Sequence, residues 1–215
     1  MSALADVLGG LAAAKHGLGY RLAFAGLSAP AIEAAVATVA LAQEELGHAR
    51  LLYASELRLR GGGGEDEGAV GAAIQTAPPV PELVPAPDDW AQVLATLATL
   101  DTALSLWLET LAESAEAWLR PRAQRMLDEE TFHRDYLRGW LDVAAAEPRL
   151  REGVTAGMSV ALARYRPWMD ALARRAEAAG IAAPPSGARL ESTVSALVAG
   201  TLERREGNDD AETVS

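Results

Sequence analysis

The sequence contains one short pattern twice: a pair of adjacent glutamates, the second of which is followed three residues later by a histidine. The two copies are EELGH at residues 44–48 and EETFH at residues 129–133. The chain has only three histidines, and two of them end these copies. Positions i and i+3 of a helix project from the same face, so each pair can hold one ion from one side. The pattern therefore predicts two helices that each present a carboxylate and an imidazole together.

Both pairs interrupt apolar stripes. The stripes have the three- and four-residue spacing of a helix face that packs in a core. They are Leu41, Glu45, His48 and Leu52 in the first copy, and Ala123, Met126, Glu130, His133 and Leu137 in the second. Burying a carboxylate costs several kcal/mol unless the group is paired or ligates a metal. The two pairs are therefore predicted to share one internal polar site, with Glu44 and Glu129 solvated or in supporting positions.

Helical patterns cover most of the chain, and residues 1–205 are predicted to form one domain. Helices are predicted at residues 3–27, 30–60, 89–113, 114–145, 149–179 and 188–205. The glycines and prolines of residues 61–89 predict a long crossover linker, and residues 206–215 are predicted to be a disordered acidic tail. The fold class is therefore all-α, a four-helix bundle with one long crossover and one or two extra C-terminal helices.

Helix starts are predicted from serine and proline positions. Ser28, followed by Pro30, is predicted to cap the second helix, and Ser114 to cap the fourth. Pro121 is expected to bend the fourth helix or delay its start. These starts set the heights at which side chains of neighbouring helices meet.

Two further ionisable residues lie in the stripes of the partner helices. Asp101 would meet Glu130 at one height if the third and fourth helices are antiparallel, and the matching place in the first helix holds Lys15. His16, one position off the stripe, is interpreted as a surface or partner-facing residue, with a substitute ligand as the alternative. The predicted metal ligands are Glu45, His48, Asp101, Glu130 and His133, with Lys15 in the place of a first-helix ligand.

The charges of this site leave alternatives open. Oxygen and nitrogen ligands without sulfur suit iron, with manganese as the alternative. Three carboxylates and a protonated Lys15 sum to −2, which one divalent ion would balance. A metal-free site, in which the ammonium bridges carboxylates and a protonated histidine adds positive charge, fits equally well. Lys15 could also extend away from the core or lose its proton.

Composition excludes several classes of partner. The net charge of −11 without a basic cluster argues against nucleic acid and against anionic membrane surfaces. The absence of cysteine excludes disulfides and thiolate metal sites. The N-terminus lacks the basic segment of a signal peptide, and no apolar run reaches the roughly 18 residues of a membrane span. A cytoplasmic protein is expected.

The amino-acid sequence around the two motifs resembles that of a known family. Residues 19–57 (GYRLAFAGLSAPAIEAAVATVALAQEELGHARLLYASEL) are similar to the phenylacetic acid catabolic family, within the ferritin-like di-iron carboxylate superfamily. The stretches LDTALSLWLETLAESAEAWL and EETFHRDYLRGWL resemble the second half of the same bundle. That family contains the catalytic and the structural subunits of the multicomponent phenylacetyl-CoA epoxidase.

The resemblance implies three possible functions. In the catalytic subunit two irons activate dioxygen, and one oxygen atom enters the aromatic ring of a coenzyme A thioester, so a monooxygenase homologue acting on an aromatic acyl-CoA is one possibility. The second is a non-catalytic structural bundle in a homodimer, or in a hetero-oligomer with a related subunit. The third is a single-metal or metal-free protein with another task. The five ligands carry over, but Lys15 replaces the first-helix glutamate that a complete oxygenase site requires.

Overall fold

Helices make up the regular secondary structure of the described residues. The computed structural model describes residues 3–62, 66–76, 84, 87, 89–114 and 116–201. The helices are α1 (Ala3–Ala25), α2 (Ile32–Leu59), α3 (Glu67–Thr76), α4 (Trp90–Thr96), α5 (Thr102–Ala112), α6 (Arg120–Ala146), α7 (Pro148–Ala178) and α8 (Gly187–Thr201). A π-helical turn, Leu97–Asp101, joins α4 to α5, so the two form one continuous rod.

Four rods surround the core. The helix α1 packs along α2, α5 packs along α6, and α2 contacts α6. The long helix α7 covers α1, α4 and α6 from outside, and α8 covers α5 and α7. This is the all-α ferritin-like bundle with additional C-terminal helices that the sequence predicts, and that prediction is confirmed.

Glycines set the spacing between α4 and α7. A Cβ atom added at Gly153 would lie 2.9 Å from the Cβ of Ala91, and one added at Gly157 would lie 2.8 Å from the Cβ of Ala95. Real Cβ atoms do not approach this closely, so larger residues would force the helices apart. The contact fixes α4, and with it the π-helical turn that follows, against α7.

Two predicted caps are wrong. The residue before α2 is Ala31, which makes no side-chain cap, and the hydroxyl of Ser28 instead donates to the Ala25 carbonyl at 3.1 Å. The Ser114 hydroxyl accepts from the Glu116 backbone nitrogen at 3.2 Å, well before α6 begins. The expected delay at Pro121 is present, because this proline occupies the first turn of α6 and suits a helix start.

The predicted linker is partly helical. Residues 67–76 form α3, which packs on α2 and buries Val70, so this stretch of the predicted linker contains a helix that the sequence did not predict. The glycines that precede it favour a break, but Ala and Val at helical spacing then support a short amphipathic turn against α2. The predicted acidic tail, residues 206–215, lies outside the described residues.

One rod is apolar enough to cross a membrane by length and composition. It is Trp90–Ala112, in which Asp101 and Glu109 interrupt the apolar residues, and 83% of its most apolar window is buried inside the protein. A core helix of a soluble protein has the same character, and the burial accounts for its composition.

Candidate functional site

Six ionisable side chains meet in the middle of the bundle. Each is at most 3% exposed, which is rare for charged residues unless they are paired. We call this group the central cluster: Lys15 from α1, Glu45 and His48 from α2, Asp101 from the π-helical turn, and Glu130 and His133 from α6. The structure thus brings together every residue that the sequence placed in the site.

The ammonium group of Lys15 bridges the two motif glutamates. Its Nζ lies 2.7 Å from Glu45 Oε1, contacts Glu130 Oε1, and lies 3.9 Å from Asp101 Oδ1. The side chain is fully buried, so the alternative in which it extends away from the core is wrong. The first helix therefore delivers a positive charge to the point where the two halves of the bundle meet.

Attraction within the cluster decides its protonation states. Burial alone would lower the pKa of Lys15, but the charges of Glu130, Glu45 and Asp101 outweigh it and raise that pKa above its usual value. Burial likewise acts to raise the pKa of Glu130, yet the neighbouring ammonium holds it well below the usual range. Lys15 is therefore charged at neutral pH, and the alternative in which it loses its proton is disfavoured.

Each histidine turns its inner nitrogen towards the glutamate of the other motif. His48 Nδ1 lies 3.3 Å from Glu130 Oε1, and His133 Nδ1 lies 3.3 Å from Glu45 Oε1 and 3.4 Å from Asp101 Oδ1. The two rings face one another with centroids 6.5 Å apart. The two halves of the site are thus approximately symmetric: the histidine of each motif contacts the inner glutamate of the other motif.

The outer ring nitrogens, the Nε2 atoms, also contact a glutamate of the other motif. His48 Nε2 lies 2.8 Å from Glu129 Oε2, and His133 Nε2 lies 2.9 Å from Glu44 Oε2. These outer carboxylates are about two-fifths exposed, so each joins a buried imidazole to the surface. Imidazoles that serve as metal ligands commonly hold a carboxylate on the second nitrogen, which fixes the ring orientation. Sequence reasoning placed both glutamates in supporting positions but did not foresee that the pairs cross between motifs.

The carboxylates also set the charge on the imidazoles. Burial lowers the pKa of His133, but the hydrogen bond to Asp101 and the close carboxylates of Glu130 and Glu45 outweigh this and raise it above its usual value. The pKa of His48 is raised as well, because Glu130 and Glu129 overcome burial and the repulsion of Lys15. Burial and the charge of Glu130 raise the pKa of Asp101 to about 7. The cluster therefore holds protonated imidazole beside the ammonium.

The π-helical turn places Asp101 in the central cluster. This residue ends the π-helical turn, and such turns insert one residue into an α-helix and are frequent at functional sites. Two threonine hydroxyls bond to carbonyls beside the turn: Thr99 to Ala95 and Thr102 to Ala98, each at 2.8 Å. Threonine side chains that bond back to the i−4 carbonyl bend helices.

The donor set fits one cation better than two. One donor atom from each of Glu45, Asp101, Glu130 and His133 can be chosen so that all lie within 4.8 Å of one another. Within the described part of the chain, Glu45 Oε2 and Glu130 Oε2 are buried without a hydrogen-bond partner, and so is His48 Nδ1, whose 3.3 Å approach to Glu130 lacks hydrogen-bond geometry. Three oxygens and one imidazole suit a single divalent ion.

A two-metal centre does not fit these residues. It would draw on both motif glutamates, and the ammonium of Lys15 already contacts an oxygen of each. Among the described residues of α1, the position that would supply a further carboxylate to the cluster holds Lys15 itself. Repulsion between a second divalent ion and the buried ammonium would oppose loading.

One signal in the sequence marks Lys15 and was missed. It is the single lysine of the chain, in which every other residue of the Lys+Arg count of 19 is arginine. A primary ammonium is a compact point charge, whereas a guanidinium needs a planar space and five partners. The single lysine thus occupies a position where the cation is fully enclosed by the protein.

The chain matches a known protein family. The family model for phenylacetic acid catabolic protein matches residues 1–203 of the chain. Among curated proteins no significant match is found.

Replacing Lys15 by methionine is expected to destabilise the protein by about 3–5 kcal/mol, because Glu45 and Glu130 would remain buried without their counter-charge. Urea unfolding at neutral pH measures the change. The triple variant Lys15→Met, Glu45→Gln, Glu130→Gln removes the uncompensated charges and should recover part of the loss. A single variant within about 0.5 kcal/mol of the wild type would show that the ammonium is not a required counter-charge.

Replacing Glu129 by glutamine is expected to lower the pKa of His48, because the ring loses a carboxylate that favours its charged form. A raised histidine pKa stabilises the fold below about 6.5, and this contribution is lost as the pH rises through the folded value. In the variant that loss should therefore come at lower pH. Nuclear magnetic resonance titration of the three histidine rings measures the shift, with His16 as the unchanged internal control.

Proposed function

Since the chain belongs to the phenylacetic acid catabolic protein family, we propose that it is a non-catalytic bundle subunit of phenylacetate catabolism. In this proposal the interior of the bundle is closed by an ion-pair cluster instead of a two-metal oxygenase centre, and the protein acts by pairing with another ferritin-like chain. The observation that supports it is the buried ammonium of Lys15 between Glu45 and Glu130.

Charge balance supports this proposal. A complete two-metal site has four carboxylates, −4, against two divalent ions, +4. With Asp101 ionised, three inner carboxylates give −3, while Lys15 and a protonated His133 give +2, which leaves −1 inside the cluster. The raised pKa of Asp101, about 7, brings the sum closer to zero at neutral pH. The outer carboxylates of Glu44 and Glu129 lie near solvent, where counter-ions screen them. A cluster close to neutral has little attraction for two divalent ions.

A single-cation form is the second candidate. The unpartnered oxygens of Glu45 and Glu130 support it, together with the compact arrangement of four possible donors. One ion bound there would have to displace the protons of His133 or move the Lys15 ammonium. Such an ion would have a structural role at a buried site. The aromatic acyl-CoA substrate implied by the oxygenase resemblance is not part of either candidate.

The partner surface proposed is an exposed apolar face on the first hairpin. We call it the α1–α2 face: Tyr20, Phe24, Leu27, Ile32, Val36, Val39 and Leu46, each more than one-third exposed. The two helices lie close here, because Gly26 sits against Val39 and Gly19 against Leu46. The residues of both helices therefore form one continuous patch, and the Tyr20 and Phe24 rings pack at 4.9 Å.

A patch of this kind marks an interface. Seven large apolar side chains in one region exceed the scattered exposure that is normal on monomers, and aromatic residues are enriched at the centres of protein interfaces. The net charge of −11 argues against an anionic lipid surface as the occupant. A second bundle chain, either a copy of this one or a related subunit, is the proposed occupant.

Elemental analysis of protein purified without added metal is expected to find well under one iron or manganese per chain. The variant Lys15→Glu restores a fourth carboxylate and removes the ammonium, so its metal content should rise. Arg50→Glu, which makes the same charge change at an exposed position of α2, should leave the content unchanged. Two metals in the wild type would refute the proposal, and one would select the single-cation form.

The variant Val36→Glu is expected to weaken association, because a charge would be buried in the α1–α2 face. Val160→Glu places the same change on α7 at similar exposure, 61% against 65%, and should have no effect. Sedimentation velocity over a concentration series measures the oligomeric state. A wild type that stays monomeric, alone and with related bundle subunits, would contradict the partner surface.

A further inference from the structure

A cavity opens between α5, α6 and α8. Its volume is about 190 Å³, which is room for roughly six water molecules. Its inner end reaches Asp101, and its outer end lies among charged side chains on the surface. The residues that matter here are Asp101, Ser105, Leu106, Arg134, Leu137 and Leu197.

The cavity wall includes a buried hydroxyl, that of Ser105. This residue is 8% exposed, and its oxygen makes no hydrogen bond to the part of the chain that the structure describes. Serines within helices commonly bond to the carbonyl four residues earlier, as Ser55 and Ser159 do at 2.8 and 3.1 Å. Leaving a buried hydroxyl unpaired costs about 1–3 kcal/mol, so a ligand atom that pairs with Ser105 recovers stabilisation.

The cavity wall also includes a cation, the guanidinium of Arg134. It donates to the Thr131 hydroxyl at 3.0 Å, and among the described residues no carboxylate pairs with it. The other arginine at this wall, Arg138, is paired with Asp135 at 3.4 Å, and the carboxylate of Glu109 at the wall is paired with Arg189 at 3.1 Å. The charge of Arg134 is therefore available to an anion that enters the cavity.

Between these polar groups the walls are apolar. Leu106 and Leu137 are each 5% exposed, and the half-buried Leu197 of α8 closes the third side. We propose that this cavity binds a small organic monocarboxylate, with its carboxylate on Arg134, its apolar body between the leucines, and its inner end near Ser105. The volume admits an acid of modest size and excludes a nucleotide-bearing thioester.

This binding function goes beyond the proposed function, because it depends neither on the metal content of the central cluster nor on the partner surface. Asp101 connects the two regions: it lines the cavity and lies 3.4 Å from His133 in the cluster. Because Asp101 belongs to both, a bound acid would lie directly beside the central cluster.

Isothermal titration calorimetry of the full chain, pretreated with a chelator, tests the proposal with benzoate and hexanoate. At least one acid should bind saturably, and more tightly than its neutral amide, benzamide or hexanamide. Arg134→Gln should weaken the binding about tenfold, the effect of losing one charge-assisted hydrogen bond. Arg120→Gln, at an exposed position on the same helix, should bind like the wild type.

A second variant tests the cavity independently of Arg134. Leu197→Trp fills the cavity from α8 and replaces no residue of the central cluster, and it should abolish binding. The proposal is overturned if neither acid saturates by about 10 mM, if acid and amide bind equally, or if binding persists in Leu197→Trp. None of these results alters the metal content or the oligomeric state of the wild type, so failure here is distinct from failure of the proposed function.

Discussion

The buried ammonium of Lys15 holds the interior of the bundle together. It draws Glu45 of α2 and Glu130 of α6 to one point and places Asp101 of the π-helical turn beside them. Three carboxylates that would repel one another in a dry core are held together by one positive charge and by protonated imidazole. The heights of four helices follow from that requirement, since a shift of one helix would leave a charge unpaired.

The site is a duplicated structure with one asymmetric position. The two Glu-Glu-x-x-His motifs exchange partners, so that each histidine is held between the inner and the outer glutamate of the other motif. The asymmetry lies in the partner helices, where one supplies Asp101 and the other Lys15. With an ammonium at one of the two matching positions, the site contains a cation of its own. The same family fold can therefore keep its packing while its chemistry changes.

Sequence patterns predicted the helices and the convergence of the six side chains, because ionisable residues inside apolar stripes can only be buried in pairs. They did not predict the π-helical turn, since its one-residue insertion leaves the apolar spacing of Leu97 and Leu104 nearly unchanged. They also missed α3, where preceding glycines and following prolines outweighed a short apolar face. The contact of Lys15 with both motif glutamates was one of several alternatives, because a long flexible side chain can reach solvent as easily as a core and only its packing decides.

The protonation and enclosure of Lys15 can be measured directly. Because it is the single lysine of the chain, protein labelled with ¹⁵N-lysine carries one side-chain ammonium, which nuclear magnetic resonance can observe. We predict one slowly exchanging ammonium signal that persists from neutral pH to about pH 9, below the ordinary lysine pKa, and is unaffected by added Mn²⁺. An ammonium that exchanges rapidly with solvent, or a signal lost when Mn²⁺ binds beside it, would contradict an enclosed cation that occupies the place of a metal.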